Sequence, residues 1–118
     1  MLTIYHNPRC SKSRQTLQLI EQSNTPVTIV EYLKTPLNQE QIKTLLALLK
    51  IPAIEMMRIK EEEFKTLQLK GASEEKLIAA MVNCPKLIER PIVTKVNSMT
   101  TENSAVIGRP PENVLTLI

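Results

Sequence analysis

The chain has 118 residues, 42% apolar and 23% charged, the proportions of one soluble globular domain with a modest core. Its formal charge is +3, with two tyrosines, one phenylalanine and no tryptophan, which fits an anionic small molecule and argues against a nucleic-acid surface, since no Lys/Arg run or aromatic stacking platform is present. The start of the chain lacks a signal-peptide pattern and no apolar stretch reaches membrane-spanning length, while one histidine and two scattered cysteines make neither a metal site nor a disulfide scaffold; a cytoplasmic protein with reduced thiols and no membrane partner is expected.

In chain order, the apolar run Leu2–His6 predicts a strand, and Ser11–Ser23 predicts a helix with Leu17 and Ile20 on one face and Asn24 as its stop. Pro26–Tyr32 predicts a second strand, which a right-handed crossover makes parallel to the first. Asn38, with Gln41 three residues on, forms a capping-box pattern. It opens a helix carrying Ile42, Leu45, Leu46 and Leu49, ended by Ile51-Pro52. Ala53–Arg58 predicts a short helical turn. Glu61-Glu62-Glu63 is expected to be a solvated face of a segment that buries Phe64 and Leu67; consecutive helical positions diverge around the axis and so do not converge on a metal. After Gly71, Ser73 caps a helix with Leu77, Ile78, Met81 and Val82 as its apolar positions. Pro91–Val96 and Ser104–Ile107 predict an antiparallel hairpin turning through Asn97–Asn103, and Pro110–Leu117 a closing helix with proline in its first turn. The order predicts an α/β fold: a thioredoxin-like mixed four-stranded sheet with a helical insertion between N-terminal βαβ and C-terminal ββα parts. We expect one domain over residues 1–118, with the insertion at about residues 37–90.

The chemistry concentrates in His6-Asn7-Pro8-Arg9-Cys10-Ser11-Lys12-Ser13-Arg14. Cys10 falls at the strand-to-helix turn, where unsatisfied N–H groups of the first helical turn favour a thiolate or a bound oxyanion. Arg9, Lys12, Arg14 and the His6 imidazole push the same way, so Cys10 is expected to be a nucleophile with a depressed pKa. Cys84, among apolar helical positions and before Pro85, is expected to be a packing residue. His6 can equally be a structural hydrogen-bonder at the strand end. Lys12 and Arg14 are expected to set the local field more than to touch a ligand. Position 13, where a Cys-x-x-Cys motif would hold its second thiol, is serine, so chemistry that loads Cys10 needs an outside thiol to finish it. Thr16, six residues after Cys10, excludes a Cys-x5-Arg phosphatase loop. Arginines that hold an oxyanion must then come from elsewhere, and Arg58, Arg90 and Arg109 stand at element boundaries.

Taken together, His6-Asn7-Pro8-x-Cys10-x-x-Ser13-Arg14, Tyr32–Pro36, Met57-Arg58, Arg90-Pro91-Ile92-Val93 and Gly108-Arg109-Pro110 resemble, in order and across essentially the whole chain, the glutaredoxin-linked arsenate reductase family. The resemblance implies that Cys10 attacks arsenate, that glutathione serves as co-substrate and glutaredoxin as partner, and that no cofactor is tightly bound. It implies that Arg58, Arg90 and Arg109 hold the oxyanion, that His6 lowers the cysteine pKa, and that Ser13 hydrogen-bonds the thiolate. A cis peptide at Arg90-Pro91 is a further expectation. Arg9, and Ser11-Lys12, depart from the commoner family pattern of a small residue and a Gly-Thr-like pair. Two other readings carry distinct chemistry. One is an Spx-like regulator that binds RNA polymerase, whose Cys-x-x-Cys switch Ser13 removes. The other is a glutathione-linked thiol oxidoreductase with a different substrate, which would need little from Arg58 and Arg109.

Overall fold

The computed structural model describes residues 2–89, 91–96 and 103–118. They group into two compact units, Met1–Thr35 with Arg90–Ile118, and Pro36–Glu89.

The first unit contains β1 (Leu2–Tyr5), α1 (Ser11–Gln22), β2 (Val27–Val30), β3 (Ile92–Val96) and β4 (Asn103–Ile107), followed by a 3-10 helix at Pro111–Leu117. The strand order is β2-β1-β3-β4. β1 and β2 are parallel, with Leu2 opposite Val27 and Tyr5 opposite Val30. β3 is antiparallel to both β1 and β4, Val93 facing Ile4 on one side and Val106 on the other. This is the mixed thioredoxin-like sheet that the element order predicts. Period-two alternation sends Leu2 and Ile4 to the same face, where they join Ile20, Val93, Val114 and Leu117 in the core. Asn24, the expected helix stop, has φ 59°, a left-handed conformation that asparagine tolerates better than most residues.

Two expectations change here. The inward face of α1 is polar over its first half: Ser13 and Thr16 are buried together with Ile20, while Leu17 is only partly covered. The closing helix is 3-10 throughout rather than α. Its buried residues, Pro111, Val114 and Leu117, recur every third position, the period of a 3-10 helix, and this face packs against α1. The Arg90-Pro91 peptide and residues 97–102 of the predicted hairpin turn lie outside the described residues. Among the described residues the cis peptide is Arg109-Pro110.

The second unit contains α2 (Gln39–Leu49), a 3-10 turn at Ala53–Met56, α3 (Glu62–Thr66), α4 (Glu74–Asn83) and a 3-10 turn at Pro85–Leu87. The capping box is formed: Gln41 N–H donates to Asn38 Oδ1, and Asn38 N–H donates to Gln41 Oε1, each at 2.8 Å. Ser73 caps α4, accepting from Lys76 N–H at 3.3 Å. α2 packs on α4 through faces that include Ile42, Leu45, Leu77 and Ile78. Leu67 was expected inside, yet it is 44% exposed. The reason is that α3 stops at Thr66 and Gln68 takes φ 54°. That turn brings in Leu69, whose N–H donates to Phe64 O and whose side chain is 1% exposed. The glutamate run is not simply a solvated face either. Glu61 pairs with Arg58 at 2.8 Å and Lys86 at 3.7 Å, and Glu63 pairs with Lys86 at 3.2 Å, leaving Glu62 exposed. Among the described residues no helix is long and apolar enough to cross a membrane.

Ile20 is fully buried between α1 and the sheet. Ile20→Ala is expected to cost about 2–5 kcal/mol, whereas Leu67→Ala should stay within about 0.5 kcal/mol. Urea unfolding followed by circular dichroism checks both, and similar losses at the two positions would contradict this assignment of the core.

Candidate active site

The turn between β1 and α1 is held by a compact set of hydrogen bonds. His6 N–H donates to Val30 O at 2.8 Å, continuing the parallel pairing one residue past β1. Asn7 then organises the turn: its C=O accepts from Cys10 N–H at 3.0 Å, its Oδ1 accepts from Arg9 N–H at 3.0 Å, and its N–H donates to Ser13 Oγ at 3.0 Å. Arg14 Nη1 donates to Pro8 O at 2.9 Å. Cys10 is the N-cap residue of α1, with extended backbone angles of φ −94° and ψ 123°. Its C=O accepts from Arg14 N–H at 3.0 Å, the first bond of the helix. Cys10 is 9% exposed, at the positive end of the helix dipole.

Ser13 sits in the first turn of α1, fully buried, with its Oγ 2.6 Å from His6 Nδ1. Asn7 N–H occupies one acceptor site of that hydroxyl. The His6 contact is then made either by Ser13 O–H donating to a neutral ring or by Nδ1–H donating to the second lone pair. His6 is 6% exposed. Its pKa is lowered from the ordinary 6.5, chiefly because burial penalises the charged ring; Glu31 opposes this, Arg14 adds to it and Glu21 opposes it.

Arg109 comes from the other end of the sequence. Its Nη2 donates to Cys10 Sγ at 3.6 Å. Gly108 makes that approach possible. Its N–H donates to Pro91 O at 2.8 Å. A Cβ built at Gly108 would stand 2.5 Å from Thr16 Oγ1 and 2.9 Å from Pro91 Cγ, so the end of β4 runs against α1 with no room for a side chain. Thr16 fits there because its hydroxyl turns back to Lys12 O at 2.8 Å. On the far side, Asn113 Nδ2 donates to Ile107 O at 3.1 Å and to Arg109 O at 3.2 Å, bracing the segment that carries the arginine.

Of the residues singled out from sequence, His6, Cys10, Ser13 and Arg109 thus lie together. Arg58 belongs to the second unit, where its N–H donates to Leu87 O at 2.7 Å and its guanidinium pairs with Glu61. Arg90 lies outside the described residues. Asn7, Thr16 and the packing role of Gly108 were not anticipated. The Asn-Pro dipeptide does signal a turn, but nothing local in the sequence pairs Thr16 with Gly108.

Residues 5–117 match the ArsC family. Uncharacterized protein YfgD of Escherichia coli K12 is 48% identical, spanning 98% of this chain and 94% of its own. A protein of Haemophilus influenzae named arsenate reductase is 40% identical, spanning 98% and 97%. The solved structure of arsenate reductase from Vibrio cholerae superposes with a TM-score of 0.89 at 43% identity, covering 99% of this chain and 97% of that one. A β1–α1 turn with a cysteine at the helix N-cap, faced by an arginine from beyond β4, is therefore the setting of a thioredoxin-like thiol protein, and the chain belongs to the ArsC family. The resemblance drawn from its separated motifs is borne out.

Two measurements follow. His6 is the chain's one histidine, so its imidazole resonances are assignable without mutation. Their titration midpoint should fall below 6.5 in the folded protein. Between the lowered folded value and the unfolded 6.5 the unfolded chain binds more protons, so stability is full above pH 6.5 and declines as pH falls below it. A midpoint above 6.5 would reverse that sign. Gly108→Ala is expected to lower stability by about 1–3 kcal/mol through overpacking against Thr16 and Pro91. The companion Thr16→Ala, Gly108→Ala pair should recover part of it in urea unfolding, and no recovery would show that the strain lies elsewhere.

Proposed function

We propose that this protein is an arsenate reductase in which Cys10 is the nucleophile. The observation that carries the reading is the Arg109 guanidinium 3.6 Å from Cys10 Sγ, at a thiol seated on a helix N-terminus. Both features stabilise a thiolate, and both are suited to a tetrahedral oxyanion beside it. The names carried by relatives in Haemophilus influenzae and Vibrio cholerae support arsenate as that oxyanion.

In this reading the Cys10 thiolate attacks arsenic, a sulfur–arsenic bond forms, and one arsenate oxygen leaves as water with arsenic still pentavalent. Charge that builds on the remaining oxygens is met by Arg109 and the N–H groups of the first turn of α1. His6 and Ser13 act around the thiol through their mutual hydrogen bond. Glutathione, as co-substrate, then supplies the second thiol. Overall, arsenate and two thiols give arsenite, one disulfide and water: arsenic gains the electron pair that the two sulfurs lose. Glutaredoxin reduces the disulfide left on the protein. The serine at position 13 supports this external route, because the motif provides no second thiol of its own. No tightly bound cofactor is required, and the reducing cytoplasm is the compartment that suits the chemistry.

The test is arsenate-dependent NADPH oxidation with purified protein, glutathione, glutaredoxin and glutathione reductase. Turnover should require every component and vanish in Cys10→Ser, while Cys84→Ser should turn over normally. Arg109→Ala should lower the rate about 10²–10³-fold, as loss of an oxyanion donor does. Wild-type rates in Cys10→Ser, or an Arg109→Ala enzyme of normal speed, would remove that residue from the mechanism.

A further inference from the structure

The loop that carries Cys10 holds more positive charge than one oxyanion needs. Arg9 and Lys12 flank the cysteine, and both are exposed. No acidic residue occurs from His6 to Ile20, and the first turn of α1 contains none. Among the described residues neither side chain has a carboxylate within ion-pair distance. Arg9 contributes only its backbone N–H to the turn, through Asn7 Oδ1 at 3.0 Å. Arg14 and Arg109 are different: one guanidinium is engaged by Pro8 O, the other by Cys10 Sγ. Two solvated cations, without counter-ions among the described residues, therefore stand beside a nearly buried sulfur. The single-thiol motif also requires that a second thiol approach this sulfur from outside.

We propose that Arg9 and Lys12 are specificity-determining residues for the incoming thiol, selecting one that carries carboxylates and steering its sulfur to Cys10. The inference rests on the reading of Cys10 as the nucleophile and does not depend on which oxyanion it attacks. Among the attacking thiolates, that of glutathione is doubly negative, that of 2-mercaptoethanol singly negative and that of cysteamine net neutral, so the field of the two cations favours glutathione most and cysteamine least. The selected step is the attack of an external thiolate on Sγ of the loaded cysteine. A new sulfur–sulfur bond forms, and the group previously on Sγ leaves with its bonding electron pair. The arsenate step relies on Arg109 and the helix N-terminus, so the two anions are drawn by different residues.

The experiment loads Cys10 of a Cys84→Ser protein with 5-thio-2-nitrobenzoate and follows release of the coloured thiolate by stopped flow. Glutathione, 2-mercaptoethanol and cysteamine serve as probes whose thiolates are doubly negative, singly negative and net neutral, their rates corrected for thiolate fraction. Glutathione is expected to react fastest. Arg9→Ala with Lys12→Ala should slow glutathione about tenfold, slow 2-mercaptoethanol less and leave cysteamine within about twofold. Added salt should erase the glutathione preference, since the Debye length falls from about 30 Å at 0.01 M to about 8 Å at 0.15 M. Equal slowing of all three probes would overturn the proposal, because it would mean a reshaped loop instead of a lost field. So would a rise in KM for arsenate in the coupled assay with KM for glutathione unchanged, because the cations would then serve the oxyanion. Absence of arsenate turnover in the wild-type protein would defeat the arsenate reading alone, since the release assay contains no arsenate.

Discussion

The site depends on one long-range contact, the guanidinium of Arg109 on the sulfur of Cys10. A helix N-terminus alone biases a thiol towards ionisation by an amount that water and salt reduce. A guanidinium placed on a nearly buried sulfur is screened far less. Everything around the contact serves its geometry. Asn7 fixes the turn so that Cys10 begins α1. Gly108 lets the end of β4 lie flat on the helix, and Asn113 ties down the backbone on either side of the arginine. The buried hydroxyls of Ser13 and Thr16 belong to the same design. An apolar residue at either position would fill space but could not close the bonds to His6, Asn7 and Lys12, and a buried polar group left open there would be costly.

The βαβ start, the hairpin partners and both N-caps of the second unit were legible because local rules decide them. Alternation in Leu2–Tyr5, the Asn38/Gln41 box and the serine before Glu74 each act within a few residues. The nucleophile was legible too, from the strand-to-helix position of Cys10 and its basic neighbours. The misreadings share a cause, which is that a residue's neighbours in space outvoted its neighbours in sequence. Leu67 has the right spacing from Phe64 to be buried, but α3 ends at Thr66 and Leu69 takes the interior place. Pro110–Leu117 has the composition of an α-helix, yet its inward residues recur every third position. The close approach of Gly108 to Thr16 joins segments that no periodicity connects.

Glu61 and Arg58 form a pair that local spacing alone favours. Opposite charges three residues apart meet readily, and here they do so at 2.8 Å with both side chains mostly covered. Lys86 adds a third charge through both Glu61 and Glu63. A run of three glutamates therefore divides into two that organise the second unit and one that faces water. The Arg58 guanidinium thus shares its charge with a carboxylate of its own unit.

The separation of the two contacting residues has a consequence for how the protein is made. Cys10 and Arg109 are 99 positions apart, and β1 finds its partner β3 only near the end of the chain. At synthesis rates of about 5–20 residues per second, roughly 5–20 s pass between the two residues leaving the ribosome. During that interval the cysteine stands on an unfinished chain without the Arg109 guanidinium beside it. This contribution to reactivity arrives with the same segment that brings Val114 and Leu117 to the core. A chain cut short before Arg109 would carry the nucleophile without this part of its activation.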